Sequence, residues 1–197
     1  MQLTSMNLLR RPRLRTGIAA FLLALRLACP AKNTAQITQI PSTHGTTLAG
    51  ENVTLPDVFR GKIGVLVLGF SRSSRDTASA WEHRLAADYL SSPDVLYYEV
   101  ALLEDAPRLV RPMILHSMRS SMPEPTQARF LPVTEKEEQW RALVHFDKSK
   151  PDDPYIVLTD GSGHVFWQTR GPASDTAYAG LRQQLDDLRS SKPFRKP

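Results

Sequence analysis

The chain has 197 residues, 41% hydrophobic and 23% charged, which is enough for one domain of ordinary size and a leader. Residues 1–50 contain six basic residues and no Asp or Glu, so the other 19 of the 25 Lys and Arg residues lie in 51–197 with all 20 acidic residues. The net charge of +5 therefore arises mainly from the leader, which argues against a nucleic-acid-binding domain.

Residues 1–31 have the layout of an export signal. A basic stretch at 10–15 precedes an apolar run at 17–25, and small residues follow at 28–31. The run is shorter than the roughly 20 residues that a membrane-spanning helix needs. The alternatives are an uncleaved anchor and a mitochondrial presequence, because the segment is rich in Arg and free of acids. The sequence predicts a periplasmic or otherwise extracytoplasmic protein, with a mitochondrial location as the alternative.

The only cysteine, Cys29, lies at the end of this leader. It is a candidate for lipid attachment, although Arg26 stands upstream where a lipoprotein signal has an apolar residue. The remaining chain has no cysteine, so it cannot form an internal disulfide or use a thiol in catalysis.

Composition divides the rest of the chain into three parts. Residues 32–50 are polar and rich in Thr, which predicts a flexible lead-in. Residues 51–191 are expected to form the globular domain, and residues 192–197 a basic tail.

The domain begins with a strand, a helix and a second strand. Residues 63–70 form a nearly continuous apolar run, typical of a strand buried on both faces. Ser73 and Asp76 resemble a capping box at the start of a helix. A second apolar run at 95–104 predicts a strand parallel to the first, because a helix connects them. The helix has apolar residues at helical spacing, namely Ala78, Trp81, Leu85 and Tyr89.

The remaining elements are predicted as two helices, a hairpin and a closing helix. Val110, Ile114 and Met118 share one face of the first of these helices, and the turn GSG joins the hairpin strands. The closing helix has an apolar face of Ala179, Leu181, Leu185 and Leu188. In chain order the elements occupy residues 108–122, 134–146, 155–160, 164–170 and 175–191. The order βαβαββα predicts an α/β fold with a central mixed sheet flanked by helices.

This order and several local features resemble the thioredoxin-like fold. Pro154 directly precedes the third predicted strand, where that family has a proline with a cis peptide bond. The GSG turn at 161–163 and the pair at 170–171 match the end of the family's pattern, and residues 50–70 are similar to the lead-in of redoxin-type members. The resemblance covers about residues 50–190 and implies a thioredoxin-like domain.

The turn after the first strand departs from this family. Its enzymes place a reactive cysteine or a Cys-x-x-Cys pair there, whereas this chain has Ser71 to Ser74. A serine hydroxyl is too weakly acidic to be activated by a helix N-terminus, and no His or Lys lies nearby in sequence. Disulfide exchange and peroxide reduction are therefore excluded, and no cofactor is expected.

A narrower resemblance covers residues 97–124. The stretches VALLE at 100–104 and MRSSMPE at 118–124, with the hairpin that follows, are similar to the mitochondrial ATP synthase assembly-factor family. That family chaperones the proton-channel subunit of the membrane sector and has a thioredoxin-like core without the reactive pair. The resemblance implies a protein client.

Three places are candidates for binding. At the first turn, Ser71, Arg72, Ser73, Ser74 and Arg75 would favour an anion, or would simply cap the helix. The helix at 108–122 combines adaptable Met with basic residues, or is an ordinary packed helix with a solvated face; the candidates are Arg108, Arg111, Met113, Met118 and Arg119. Pro154 would shape a groove for an extended peptide, or serve only as a structural turn.

The five histidines are too widely spaced to suggest a metal site. We therefore expect a non-catalytic protein that binds a protein client during assembly or quality control at a membrane, with the membrane surface as a second partner. One alternative is an enzyme with Ser- or Arg-centred chemistry at residues 71–75. Another is a structural module without a ligand.

Overall fold

A computed structural model describes residues 38–191. Seven strands and five helices are formed. The strands, in chain order, are β1 (Thr43–Thr46), β2 (Asn52–Leu55), β3 (Ile63–Gly69), β4 (Val95–Leu102), β5 (Phe130–Val133), β6 (Tyr155–Thr159) and β7 (Val165–Arg170). The helices are α1 (Arg75–Tyr89), α2 (Arg111–Ser121), α3 (Glu124–Gln127), α4 (Glu137–Leu143) and α5 (Asp175–Ser191).

Five strands form a mixed sheet in the order β5-β4-β3-β6-β7. The central strand β3 runs parallel to β4 and antiparallel to β6, and β4 is parallel to β5. Helix α1 makes the crossover between β3 and β4, as the sequence predicts. The sheet and its flanking helices confirm the expected α/β arrangement.

The core forms two layers, one on each face of this sheet. Leu66 and Leu68 of β3 pack into the layer that also contains Trp140 of α4. Val65 and Val67 point to the opposite face and pack with α1 and α5. Because successive side chains of a strand alternate between faces, a strand with apolar residues at every position is buried on both sides.

Helices α1 and α5 follow the predicted apolar spacing with one exception. All four predicted positions of α1 are buried. In α5, Leu181, Leu185 and Leu188 are buried, but Ala179 is exposed and the larger Tyr178 takes its place in the core. The indole N–H of Trp81 in α1 donates to the carbonyl of Gly171, at 2.9 Å, and joins this helix to the end of β7.

The flexible lead-in predicted over 32–50 is wrong for its described part, residues 38–50. Strand β1 pairs antiparallel with β2, and Ile40, Thr43 and Leu48 are buried. The apolar residues in this segment are few, but each of these packs on the domain. Strand β5, at the edge of the main sheet, was also not predicted, because its four residues follow a helix without a break in composition.

The cis proline expected at Pro154 is also wrong. Among the described residues the cis peptide bond recorded is Leu55–Pro56, at the end of β2. Pro154 does precede β6, and its carbonyl accepts the N–H of Gly171 at 2.9 Å. The chain reverses before it, where the N–H of Asp153 donates to the carbonyl of Lys150, so a trans bond suffices.

The predicted leader at 1–31, with Cys29, and the basic tail at 192–197 lie outside the described residues. Between residues 38 and 191, the structure contains no helix with the length and apolar character needed to span a bilayer.

We expect the sheet core to dominate stability. Leu66→Ala removes a fully buried side chain from β3 and should lower the free energy of unfolding by about 3 kcal/mol through lost burial and a cavity. Urea denaturation measures the change. Leu109→Ala is the matched control, because this side chain is 95% exposed, and should change stability by less than about 0.5 kcal/mol. Equal effects of both substitutions would contradict the two-layer core.

Candidate functional site: a groove beside the first strand-to-helix turn

Two of the three predicted binding stretches, the turn at 71–75 and the helix at 108–122, line one groove. The turn at residues 71–74 follows β3, and the connection that leads to α2 follows β4. Because β3 and β4 are parallel, both connections leave the sheet at the C-terminal ends of these strands. Ligands bind at this end of the sheet in many α/β proteins. The groove has a volume of about 850 Å³. Its lining includes residues 69–76, residues 99–103, part of α2 and Phe130 of β5.

The turn is closed by hydrogen bonds between its own serines. The Ser74 N–H donates to Ser71 Oγ at 3.0 Å, and the Ser74 hydroxyl donates to the Ser71 carbonyl at 2.7 Å. The Ser71 hydroxyl in turn donates to the Asp152 carboxylate at 2.5 Å. These bonds fix the turn against the segment that leads to β6.

The capping box predicted at Ser73 and Asp76 is wrong. The residue before the first turn of α1 is Ser74, and its side chain makes no capping bond. Its hydroxyl is already engaged with Ser71, and Ser73 is exposed. The serine arrangement therefore closes the turn rather than capping the helix.

Arg75 connects the turn to α2 instead of remaining free for an anion. Its guanidinium donates to Ser121 Oγ, at 2.5 Å, at the end of α2. Arg72 is exposed, and its guanidinium has no hydrogen bond or ion pair to another described residue, although its carbonyl accepts from the Arg75 N–H. The anion site stays a prediction, with fewer free donors than the sequence alone suggests.

Helix α2 lies on the surface without a buried residue. Its side toward the groove presents Met113, Ile114, Ser117 and Met118, and Met113 is 68% exposed. Leu109, two residues before the start of α2, is also apolar and is 95% exposed. A helix of this kind offers apolar contact area to another molecule.

The basic residues predicted in this helix have mainly structural contacts. Arg111 donates to the carbonyls of Ala106 and Glu104, at 2.9 and 2.8 Å. Arg119 donates to the carbonyl of Leu48 at 2.8 Å. Arg108 is exposed. The arginines therefore hold α2 in place, and its apolar side chains are the ones available for binding.

Sequence reasoning missed Glu99, which lines the groove from the middle of β4. The residue is 4% exposed, and its Oε2 atom has no hydrogen-bond partner within residues 38–191. Burial raises the pKa of this carboxyl to about 8, helped by the charge of Glu82 and opposed by Arg75. The available signal was a single acid within the apolar run VLYYEVALL.

The buried acid next to Glu99 has a partner. The hydroxyl of Tyr97 donates to Glu82 Oε1 at 3.3 Å. Burial raises the pKa of Glu82, and this hydrogen bond opposes the increase. Burial also raises the pKa of Tyr97.

Among the described residues, the lining of the groove contains serines but no cysteine, histidine or lysine that could act as a thiol nucleophile or as a general base. Asp152, which accepts from Ser71, is an exposed carboxylate outside the lining of the groove. Within the described residues no cluster of three or more His, Cys, Asp or Glu side chains is arranged to hold a metal ion. Pro154 does not line the groove, although the Ser71–Asp152 bond places its segment beside the turn.

We expect the turn to depend on Ser71. Ser71→Ala removes two hydrogen bonds and should lower the free energy of unfolding by about 1 kcal/mol, measured by urea denaturation. Ser73→Ala is the control, because Ser73 is exposed, and should be nearly neutral. A larger loss from Ser73→Ala would show that the capping interpretation is correct after all.

Glu99 should make stability depend on pH. Its pKa is raised from 4.5 to about 8 in the folded protein, so the folded state binds more protons between these values. The free energy of unfolding should therefore fall across this window, by at most about 1.4 kcal/mol per pH unit, and level off above it. Urea denaturation at several pH values measures this slope.

Glu99→Gln should remove that slope. The free energy of unfolding of this variant, relative to that of the native chain, should therefore increase as the pH rises to about 8. Glu138→Gln, at an exposed acid, should leave it unchanged. A Glu99→Gln variant with the native slope would show that another group is responsible.

Comparison with known structures shows the fold. A putative protein disulfide isomerase from Bacteroides thetaiotaomicron is 18% identical, with a TM-score of 0.52 over 76% of this chain and 86% of that one. The Streptococcus pneumoniae lipoprotein thioredoxin Etrx1 is 13% identical, with a TM-score of 0.52 over 74% and 99%. BsSco, a member of the Sco family of cytochrome c oxidase assembly proteins, is 12% identical, with a TM-score of 0.50 over 75% and 93%. These similarities confirm the thioredoxin-like fold.

No curated protein sequence matches the chain. The family model described as ATP10 protein matches residues 33–188, which is most of the chain and includes both sides of the groove. This match confirms the resemblance to the ATP synthase assembly-factor family inferred from residues 97–124. The chain is a member of the ATP10 protein family with a thioredoxin-like domain that contains no redox cysteines.

Proposed function

We propose that this protein binds a segment of a client protein in the groove between the first turn and α2, and does so without catalysis. The observation that carries the proposal is that two of the three predicted binding stretches, the first turn and α2, line one groove of about 850 Å³ at the position where thioredoxin-like enzymes hold their cysteines. The turn at residues 71–74 remains accessible but contains no thiol. The groove beside it can therefore bind another molecule but cannot exchange disulfides.

The chemistry of the groove favours an apolar segment. Met113 and Met118 are unbranched and polarizable, so they adapt to side chains of different shape. Ile114 adds a third apolar side chain to the same wall. The exposed Leu109 continues the apolar surface outward, as expected for contact with an extended or helical segment longer than the groove.

Family membership supports a role in assembling a membrane complex. The ATP10 match covers the groove, and the resemblance of residues 97–124 is to a family that chaperones a membrane-sector subunit of ATP synthase. BsSco, which has the same fold, is described as a cytochrome c oxidase assembly protein. We therefore infer that the client is a subunit of a membrane complex, and that this protein holds it during assembly or quality control.

The leader at residues 1–31 supports a location outside the cytoplasm, reached by export, with mitochondrial import as the alternative. Attachment near a membrane, by the leader or by lipid on Cys29, would keep the groove close to a membrane-bound client. N-terminal analysis of the mature protein distinguishes cleavage, lipid attachment and an uncleaved leader.

Site-specific crosslinking tests the groove. A photoreactive amino acid replaces Met113 or Met118 in the full chain, in the cells that produce it, and mass spectrometry identifies the products. Both positions should yield the same client, a membrane-complex subunit, because both side chains line the groove.

The matched control is Phe166, an exposed apolar residue of β7 at the opposite edge of the sheet. It should yield no such product. Identical products at Phe166, or no product at either methionine, would contradict client binding in the groove.

A further inference from the structure

We propose that Glu99 accepts a basic side chain, Lys or Arg, from the client segment bound in the groove. This inference rests on the proposed function and adds the recognition chemistry: an apolar segment that carries one cation. The geometry that points to it is a carboxyl group that lines the groove from the middle of β4 while one of its oxygens is buried and unpartnered within residues 38–191.

The position of Glu99 in the sheet keeps its carboxyl group away from water. It pairs in register with Val67 of β3 on one side and Phe130 of β5 on the other. Its side chain is 4% exposed, although it belongs to the lining of an open groove. A buried polar atom without a partner is unfavourable, so an entering group that supplies a donor gains an interaction that water does not already satisfy.

The charged groups of the first turn and of α1 are engaged elsewhere or exposed to solvent. Arg75 donates to Ser121 and Glu82 accepts from Tyr97, while Arg72 and Asp76 line the groove as exposed residues. The Arg75 charge acts on Glu99 without a hydrogen bond to it.

The other elements between residues 38 and 191 also supply no hydrogen-bonded cation to Glu99. Arg129, before β5, lies over the rings of Tyr97 and Tyr98. Asp105, after β4, is exposed and pairs with Arg141. The lining residues of α2 are Met113, Ile114, Ser117 and Met118, none of which is ionisable.

The arrangement of apolar and charged side chains around the groove indicates which class of ligand it can bind. An apolar wall opposite one buried acid favours a segment whose apolar side chains contact α2 while a single Lys or Arg reaches the sheet. A metal ion is a poorer occupant, because no cluster of three potential ligands is present among the described residues.

Binding of a cation should release a proton. Glu99 is mostly protonated at neutral pH in the empty groove, because burial raises its pKa to about 8. A basic side chain pairs with the ionised form, so the affinity should rise with pH until the carboxyl of the free protein is ionised. The expected gain is about tenfold between pH 6 and pH 7, with a smaller gain up to pH 8.

Selection of displayed random peptides on the immobilised full chain tests the proposal. Peptides selected at pH 8 should combine apolar residues with one enriched Lys or Arg. The same selection on Glu99→Gln should keep the apolar preference and lose the basic residue. Asp105→Asn is the matched control, because this acid lines the same groove but is exposed, and should keep both preferences.

The affinity of the selected basic peptide is then measured from pH 6 to pH 8 by fluorescence anisotropy. It should increase about tenfold over the first pH unit for the native chain and stay flat for Glu99→Gln. Carbon-detected NMR of the Glu99 carboxyl, which needs no substitution, should show that its pKa falls when the peptide binds.

The possible failures are distinguishable. Peptides that are apolar but not enriched in Lys or Arg, or a basic peptide whose affinity is independent of pH, would overturn the role of Glu99 and leave client binding intact. If the selection enriches no peptide that binds in the groove, client binding in the groove and the role of Glu99 are both wrong.

Discussion

The burial of β3 on both faces determines where this protein can have a functional surface. Every residue from Ile63 to Leu68 is buried, so the strand has no room for a polar side chain until the chain leaves the sheet. A Cβ atom at Gly69 would lie 2.7 Å from Ser74 Oγ, so a larger residue there would displace the hydroxyl that donates to the Ser71 carbonyl. The turn, and the groove beside it, follow from this constraint.

The second side of the groove depends on a division of roles within α2. The sequence suggests that both the methionines and the arginines of this helix bind a partner, or that the helix packs on the sheet with a solvated basic face. In the structure Arg111 and Arg119 donate to backbone carbonyls of residues outside the helix, and no residue of the helix is buried. The helix is thus held at the surface by polar contacts, which leaves Met113 and Met118 free to bind. Hydrogen bonds therefore hold α2 in position, and its apolar side chains provide a surface for hydrophobic contact with another molecule.

Sequence patterns predicted the long elements and missed the short ones for physical reasons. Strand β3 and helix α1 have enough apolar residues at one period to fix both their type and their buried face. Strands β1 and β5 have only four residues each and form because partners from distant parts of the chain pair with them. The position of Pro154 directly before β6 was predicted, but the cis peptide bond was not, because among the described residues it lies at Leu55–Pro56.

The candidate site could be predicted only in part from the sequence, for a similar reason. The turn and α2 each carry residue types that suggest binding, but their meeting in one groove depends on the parallel pairing of β3 and β4. Glu99 could be noticed as an acid in an apolar run, yet its lack of a partner depends on where Arg75 and Tyr97 direct their donors. Such information appears only when the elements are assembled.

Comparison of the three buried glutamates gives Glu99 its significance. Glu137 accepts from Arg141 and from the N–H of Glu104, and Glu82 accepts from Tyr97, so both are partnered within the domain. Glu99 has an oxygen without a partner, although Gln or an apolar residue there would remove the penalty of burying an acid. The other two buried glutamates have hydrogen-bond partners within the domain, whereas the unpartnered oxygen of Glu99 adds nothing to its stability. Because the unpaired oxygen belongs to a residue of the groove, the missing donor is most simply supplied by whatever enters that groove.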